Sequence, residues 1–149
     1  MNLDLLFTSA NLFVLPFWAL IILLPNWNVT RRIIGSPIPF MLLAALYLYL
    51  LSGAIDPETA KALSNPKLAD LASAFGNLQV TAAGWVHFLV MDLFVGRWIY
   101  LEGQGTGVWT AHSLVLCVFV GPLGLLSHFI TVGVRQLLST KTSEVVSET

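Results

Sequence analysis

The segment that decides the fold reads Trp85-Val86-His87-Phe88-Leu89-Val90-Met91-Asp92-Leu93-Phe94-Val95-Gly96-Arg97. Most of its side chains are apolar enough for the interior of a lipid bilayer, yet it also contains an imidazole, a carboxylate and a guanidinium. Such groups are costly in hydrocarbon, so within membrane helices they pair with each other, face a water-filled cavity or serve a function. The segment therefore predicts a membrane helix that carries a polar site.

The overall composition is that of an integral membrane protein. Of the 149 residues, 56% are hydrophobic and 10% are charged, whereas a soluble domain usually carries about 25% charged residues. The formal net charge is −1, and Lys and Arg do not cluster, so no nucleic-acid partner is expected. The single cysteine, Cys117, cannot form an intrachain disulfide.

Four apolar segments are predicted to be membrane-spanning helices, because about twenty apolar residues cross a hydrocarbon core of ~30 Å. The predicted spans are approximately 5–24, 38–51, 78–101 and 108–134. Asn11, in the first span, predicts a hydrogen bond to another helix. The chain is therefore expected to form an all-α, four-helix transmembrane bundle in a single domain, 1–135, with a polar C-terminal tail, 136–149.

Between the second and third predicted helices, residues 52–77 change to alternating charge with Pro and Ser. Asp56-Pro57 is typical of a helix N-cap followed by Pro at the first helical position, and Asn65-Pro66 repeats the pattern. Apolar side chains downstream share one helical face. These features predict an amphipathic connector of one or two short helices on the membrane surface. It is either a lid over a lipid-facing site or a plain connection.

Helical periodicity divides the polar residues of the third predicted helix between two faces. At 100° per residue, Asp92 shares one stripe with Trp85, Phe88 and Gly96. His87 and Phe94 lie on a different face, so His87 and Asp92 are not a simple pair within the helix. Asp92 is expected to face another helix, and Gly96 permits close approach of a neighbour or a ligand.

A short Gly-rich turn joins the third and fourth predicted helices, which must then be antiparallel. Folding the chain about Gln104 places His112 within reach of Arg97 and Asp92, and places His128 towards the opposite interface. The sequence therefore predicts a cluster of Asp92, Arg97 and His112, with Ser113 and Glu102 around it.

This predicted cluster has three interpretations. Asp92 and Arg97 pair, directly or through His112, and lock the helices together. Alternatively, the cluster performs acid–base chemistry on an apolar substrate. Ligation of haem or metal by the three histidines, including His87 and His128, is the third. It is disfavoured because they lie at different predicted depths and lack close spacing, so no metal or other cofactor is predicted.

Three segments carry a resemblance to a known family. They read Trp85-x-His87-x-Leu89-Val90-x-Asp92-Leu93-Phe94-x-x-Arg97-x-x-Tyr100, His112-Ser113-x-x-Leu116-Cys117 and Pro122-x-Gly124-x-x-Ser127-His128-Phe129. They resemble the abscisic-acid-deficient-four-like family of membrane proteins. Supporting matches lie upstream in Leu15-Pro16, Tyr47-x-Tyr49-Leu50-Leu51 and Pro57-Glu58-Thr59, so the likeness covers nearly the whole chain. Plant members are associated with neoxanthin synthesis in plastids, and the family also occurs in cyanobacteria.

The resemblance implies a carotenoid ligand and a location in a plastid membrane or in a cyanobacterial thylakoid or plasma membrane. One expected function is a neoxanthin-synthase-like isomerase that opens a xanthophyll epoxide to an allene. The alternative is a non-catalytic accessory subunit that binds pigment or lipid within a larger photosynthetic complex. A long polyene exceeds the buried volume of so small a bundle, so a homo-oligomer or a larger membrane complex is expected.

We combine this substrate class with the residues above to define the expected site. The catalytic residues would be Asp92, His112 and Arg97. The substrate-binding residues would be Trp85, His87, Phe88, Phe94, Gly96, Ser113 and His128.

Overall fold

The computed structural model describes residues 2–147, with backbone only for residues 62, 63 and 140–147. Throughout this part of the chain the regular structure is helical, which confirms the predicted all-α class. The helices are α1 (Leu3–Leu23), α2 (Asn28–Gly35), α3 (Ile38–Ala54), α4 (Pro57–Ser64), α5 (Leu68–Ala74), α6 (Leu78–Thr106), α7 (Ala111–Phe119) and α8 (Gly121–Ser147). The predicted tail is helical to Ser147, and its last two residues lie outside the described residues.

Three segments of the described chain are long and apolar enough to cross a membrane. They are Leu3–Leu23, Asn28–Ala54 and Leu78–Thr106. The first and third match predicted spans. The second contains the predicted span 38–51 as α3 and extends it through Ser36-Pro37 to α2. Pro is well tolerated at a helix start, because its missing N–H would be unbonded there in any case.

The predicted fourth span, 108–134, is interrupted, so a four-helix bundle is not confirmed. Helix α7 ends at Phe119, Val120 leaves the helical conformation at φ −150° and ψ 89°, and α8 begins at Gly121. Pro122 fits the first turn of α8 for the reason given above. The chain then reverses, because Ser113 Oγ lies 3.1 Å from Ser127 Oγ across the two helices. Helices α7 and α8 thus form an antiparallel hairpin.

Helix α8 runs back along the second half of α6. Its first residue, Gly121, lies against Asp92, the middle residue of α6. At the other end of this contact, Arg135 Nη1 donates to the carbonyl of Thr106 at 2.7 Å. The hairpin tip is therefore level with the middle of α6, and both arms of the hairpin emerge at the C-terminal end of that helix.

The chain forms two compact units. The first contains the chain up to Pro16 and Gly35–Met91, and the second contains Phe17–Ile34 and the chain from Asp92 onward. The core of the first unit includes small side chains that let helices approach closely. Its buried cluster consists of Ala10, Leu50, Ala82, Ala83 and Val86. In the second unit, the buried Tyr100 donates its hydroxyl to the carbonyl of Pro25 at 2.8 Å.

The connector of the first unit contains two short helices, as predicted. The Asp56 carboxylate accepts a hydrogen bond from the Thr59 amide at 2.7 Å, and Pro57 opens α4. This confirms the predicted N-cap. Asn65, by contrast, ends α4 rather than starting α5, for which Lys67 is the N-cap residue.

Candidate functional site

The carboxylate of Asp92 lies at the tip of the α7–α8 hairpin. A Cβ atom added to Gly121 would overlap Asp92 Oδ1, so the carboxylate lies directly against the start of α8. The side chain is half-buried, and no hydrogen bond or ion pair joins it to any group that the structure describes. Unpaired carboxylates in membrane helices are costly. Asp92 is therefore the strongest candidate for a functional group in this unit.

Arg97 is engaged with backbone rather than with Asp92. Its Nε donates to the carbonyl of Ile34 at 2.7 Å, and that carbonyl lies in the last turn of α2, where intrahelical donors are missing. Within the described residues, no ion pair links Arg97 to Asp92. The contacts thus assign Arg97 the task of holding the end of α2 against α6.

His112 holds the hairpin together. Its Nε2 lies 2.8 Å from Thr131 Oγ1, and its ring stacks on Trp109 with centroids 4.8 Å apart. Because Thr131 already donates its hydroxyl hydrogen to the Ser127 carbonyl, Nε2 of His112 is the donor to Thr131. Ser113 is fully buried in the same hairpin. These contacts of His112 are with the segment before α7 and with α8, and within the described residues no hydrogen bond or ion pair joins it to Asp92 or Arg97.

His128 forms an interaction that sequence reasoning missed. Its Nε2 lies 2.7 Å from Glu102 Oε2, and the imidazole is fully buried with Trp98 edge-on at a centroid distance of 5.4 Å. The predicted depth of His128, near the interface opposite Glu102, is wrong because it assumed one straight helix through Val120. The available signal was Gly121-Pro122 inside an apolar run, which is typical of a helix start.

Two buried ring nitrogens carry no hydrogen bond in the described part of the chain. They are Nδ1 of His112 and Nδ1 of His128. Nε2 of His112 donates to Thr131, and Nε2 of His128 donates to the Glu102 carboxylate, since a carboxylate only accepts. In the neutral imidazoles, both Nδ1 atoms are therefore acceptors.

His87 lies in the first unit, where it lines a cavity of about 250 Å³. Its ring centroid is 5.6 Å from that of Tyr47 in α3. Phe88 and Phe75 line the same cavity, with Phe75 over Gly84. Two residues expected to bind substrate, His87 and Phe88, are thus brought together at one cavity.

The other residues expected to bind substrate have different surroundings. Trp85 Nε1 donates to Asn11 Oδ1 at 2.9 Å, which confirms the predicted interhelical hydrogen bond of Asn11. Gly96 permits close approach of a protein neighbour, because a Cβ there would lie 2.5 Å from the Trp18 ring. Phe94 is exposed. The described residues contain no group of three or more His, Cys, Asp or Glu side chains that could hold a metal ion.

Comparison with known proteins places these residues in a family. The model of the ABA DEFICIENT 4-like family matches residues 5–128, which contain every residue of the expected site. Protein ABA DEFICIENT 4, chloroplastic, from Arabidopsis thaliana is 35% identical over 130 residues, covering 84% of this chain and 59% of that protein. This chain thus spans less than two thirds of the length of that relative. No solved structure matches. The family match extends over most of the sequence, and the chain belongs to the ABA DEFICIENT 4-like family.

Proposed function

We propose that this protein binds a xanthophyll in a plastid or other photosynthetic membrane and isomerises its epoxide end group to an allene. Family membership supports the ligand class, and the chloroplastic relative supports the location. The three apolar helical segments support residence in a membrane.

The reaction requires one acid and one base. A carbon–oxygen bond of the epoxide breaks with its electron pair going to oxygen, and that oxygen takes up a proton. A neighbouring carbon loses a proton, and the electron pair left behind forms the second double bond of the allene. One proton is added and one is removed, so the reaction has no net redox change and needs only general acid–base catalysis.

The Asp92 carboxylate is the observation that carries this proposal. A carboxylate that only locks helices together would be paired and dry, whereas Asp92 is unpaired among the described groups and only half-buried. We assign it both proton transfers at the end group: the carboxylate removes the proton from carbon, and the carboxyl group so formed gives that proton to the epoxide oxygen. Arg97 and His112 act as positioning residues, since Arg97 holds the end of α2 against α6 and His112 holds together the α7–α8 hairpin whose tip touches Asp92.

A non-catalytic accessory subunit that binds pigment or lipid is the second candidate. It is favoured by the structural hydrogen bonds of Arg97 and His112, because these occupy two of the three residues expected to be catalytic. Under this alternative the protein would bind the xanthophyll without converting it.

The test is production of allenic xanthophyll by the chain in a host that accumulates a xanthophyll epoxide. We expect Asp92→Asn to lower the yield about 100-fold or more, the usual effect of removing a general acid or base. Asp4→Asn, in the exposed first turn of α1, is the matched control and should leave the yield of allenic xanthophyll unchanged. Full activity of Asp92→Asn would overturn the catalytic role. Xanthophyll that copurifies unconverted with the unmodified chain would favour the accessory role.

A further inference from the structure

We infer that the cavity beneath α4 and α5 binds the neutral, oxygenated ring at one end of a long isoprenoid, with Tyr47 and His87 hydrogen-bonding its oxygen. This inference rests on the ligand class of the proposed function. It does not depend on the isomerisation, which is assigned to Asp92 in the other unit.

The size of the cavity fits one end of a long molecule. Its volume is about 250 Å³, below the roughly 300–1,000 Å³ of pockets that enclose a whole drug-sized ligand. Its walls include α3 and α6, both within segments apolar enough to cross a membrane. Phe88 lines the cavity and is also exposed, and so offers apolar surface beyond it. A ring therefore fits inside while the attached chain lies outside.

The chemistry of the lining selects a neutral oxygen. Apolar side chains predominate, and the polar ones are Tyr47, His87 and the buried Thr59. None of the described residues that line the cavity is Lys, Arg, Asp or Glu, so a lipid phosphate would find no counter-charge among them. The polar groups of Tyr47 and His87 have no hydrogen-bond partner in the described part of the chain, and their ring centroids are 5.6 Å apart with the planes inclined at 56°. A phenol and an imidazole each donate and accept. Together they match a hydroxyl or an epoxide oxygen in an otherwise apolar site.

The cover of the cavity is held in place by local interactions. Thr81 Oγ1 donates to the carbonyl of Phe75, which ties the end of α5 to α6. The Phe75 ring then lies over Gly84, where an added Cβ would be 2.7 Å from Phe75 Cε1. Since so close a contact forces the ring to move, Gly84→Ala changes the cavity without removing a polar group.

The experiment compares two pigments on the purified full chain. Violaxanthin carries hydroxyl and epoxide oxygens on its rings, whereas β-carotene has the same skeleton without oxygen. We expect the unmodified protein to retain violaxanthin preferentially in detergent. His87→Phe and Tyr47→Phe should each weaken violaxanthin binding about three- to tenfold, the value of one hydrogen bond, and leave β-carotene binding unchanged. Gly84→Ala should weaken binding of both pigments.

Tyr49→Phe is the matched control, because Tyr49 lies two residues along α3 and does not line the cavity. It should bind both pigments as the unmodified protein does. Unchanged selectivity in helical, folded His87→Phe and Tyr47→Phe would overturn this inference alone. If the unmodified chain bound neither violaxanthin nor β-carotene, the proposed function would be overturned as well, whatever the activity of Asp92→Asn.

Discussion

The imidazole Nε2 of His128 in α8 lies 2.7 Å from the carboxylate oxygen Oε2 of Glu102 in α6. The histidine side chain is fully buried, whereas 29% of the Glu102 side chain is exposed. Trp98 packs edge-on against the same imidazole and excludes water from it. The pair therefore ties α8 to the end of α6 at a point where the imidazole has no access to solvent.

Removing the Glu102 carboxylate should destabilise the second unit. Glu102→Ala leaves the buried His128 Nε2–H without an acceptor, which costs about 1–3 kcal/mol of unfolding free energy. Glu102→Gln keeps a carbonyl acceptor and should lose less. The measurement is thermal unfolding in detergent, with Glu58→Ala on the exposed face of α4 as a control that shifts stability by less than about 0.5 kcal/mol. Equal stability of Glu102→Ala and the control would contradict a structural role for the pair.

The contact between Gly121 and Asp92 predicts opposite effects for two glycines of α8. Gly121→Ala would place a methyl group against the carboxylate, and overpacking of this kind costs about 1–3 kcal/mol. Gly133 has open space around its Cβ position, so Gly133→Ala should raise stability by roughly 0.5–1 kcal/mol through helix propensity. Both variants are compared by the same unfolding measurement.

A double-mutant cycle identifies the cause of the Gly121 effect. In the Asp92→Ala background the overlap is relieved, so Gly121→Ala should lose most of its cost. The same penalty in both backgrounds would mean that the hairpin tip does not touch Asp92.

Local signals made much of the fold predictable from the sequence. The first and third spans follow from uninterrupted hydropathy, since a membrane helix satisfies its own backbone and needs no distant partner. Asp56-Pro57 encodes the start of α4 within a few residues. Asn11 was expected to bond another helix, and it does so through Trp85.

The hairpin was not predictable by the same reasoning. Residues 108–134 have the length and apolarity of one span, and the reversal depends on how α8 packs against α6, which periodicity does not report. The central role of Asp92 in the site stays a prediction. His112, its expected partner, instead contacts Thr131 of α8.

The N-cap of α4 should give a pH-dependent signal. The Thr59 amide, which donates to the carboxylate, lowers the pKa of Asp56 below its ordinary value of 3.8. A folded-state pKa below the unfolded value means that the ionised cap stabilises α4 above about pH 3.8 and that this stabilisation is lost as the pH falls through the folded value. Asp56→Asn should remove this dependence, because an amide does not titrate.

Hydrogen exchange in peptides covering residues 57–64 measures this effect locally. Amide protection of these peptides in the unmodified protein should decrease relative to that in Asp56→Asn only below pH 3.8. If the difference in amide protection between the unmodified protein and Asp56→Asn stayed constant from neutral pH to pH 3, the role of the ionised cap would be contradicted. Asp70→Asn in α5 controls for general effects of acid on the connector.

The α7–α8 hairpin predicts that residues at its two ends are reached from the same side of the membrane. Trp109 precedes α7 and Leu137 lies in the second half of α8, and they are 70% and 73% exposed. Leu78, at the other end of α6, is 77% exposed. We expect Trp109→Cys and Leu137→Cys to react with a membrane-impermeant maleimide on one side of sealed vesicles, and Leu78→Cys on the other.

Cys117 is fully buried, so the unmodified protein should give no background labelling and every variant can retain that residue. The labelling pattern distinguishes a hairpin from one continuous span because the two ends of α6 lie on opposite sides of the membrane. Its 29 helical residues extend over about 43 Å at 1.5 Å per residue, enough to cross the hydrocarbon core. A continuous span from α7 through α8 would instead place Leu137 on the side of Leu78. Labelling of Leu137→Cys and Leu78→Cys from the same side would therefore refute the hairpin, and with it the position of α8 beside Asp92.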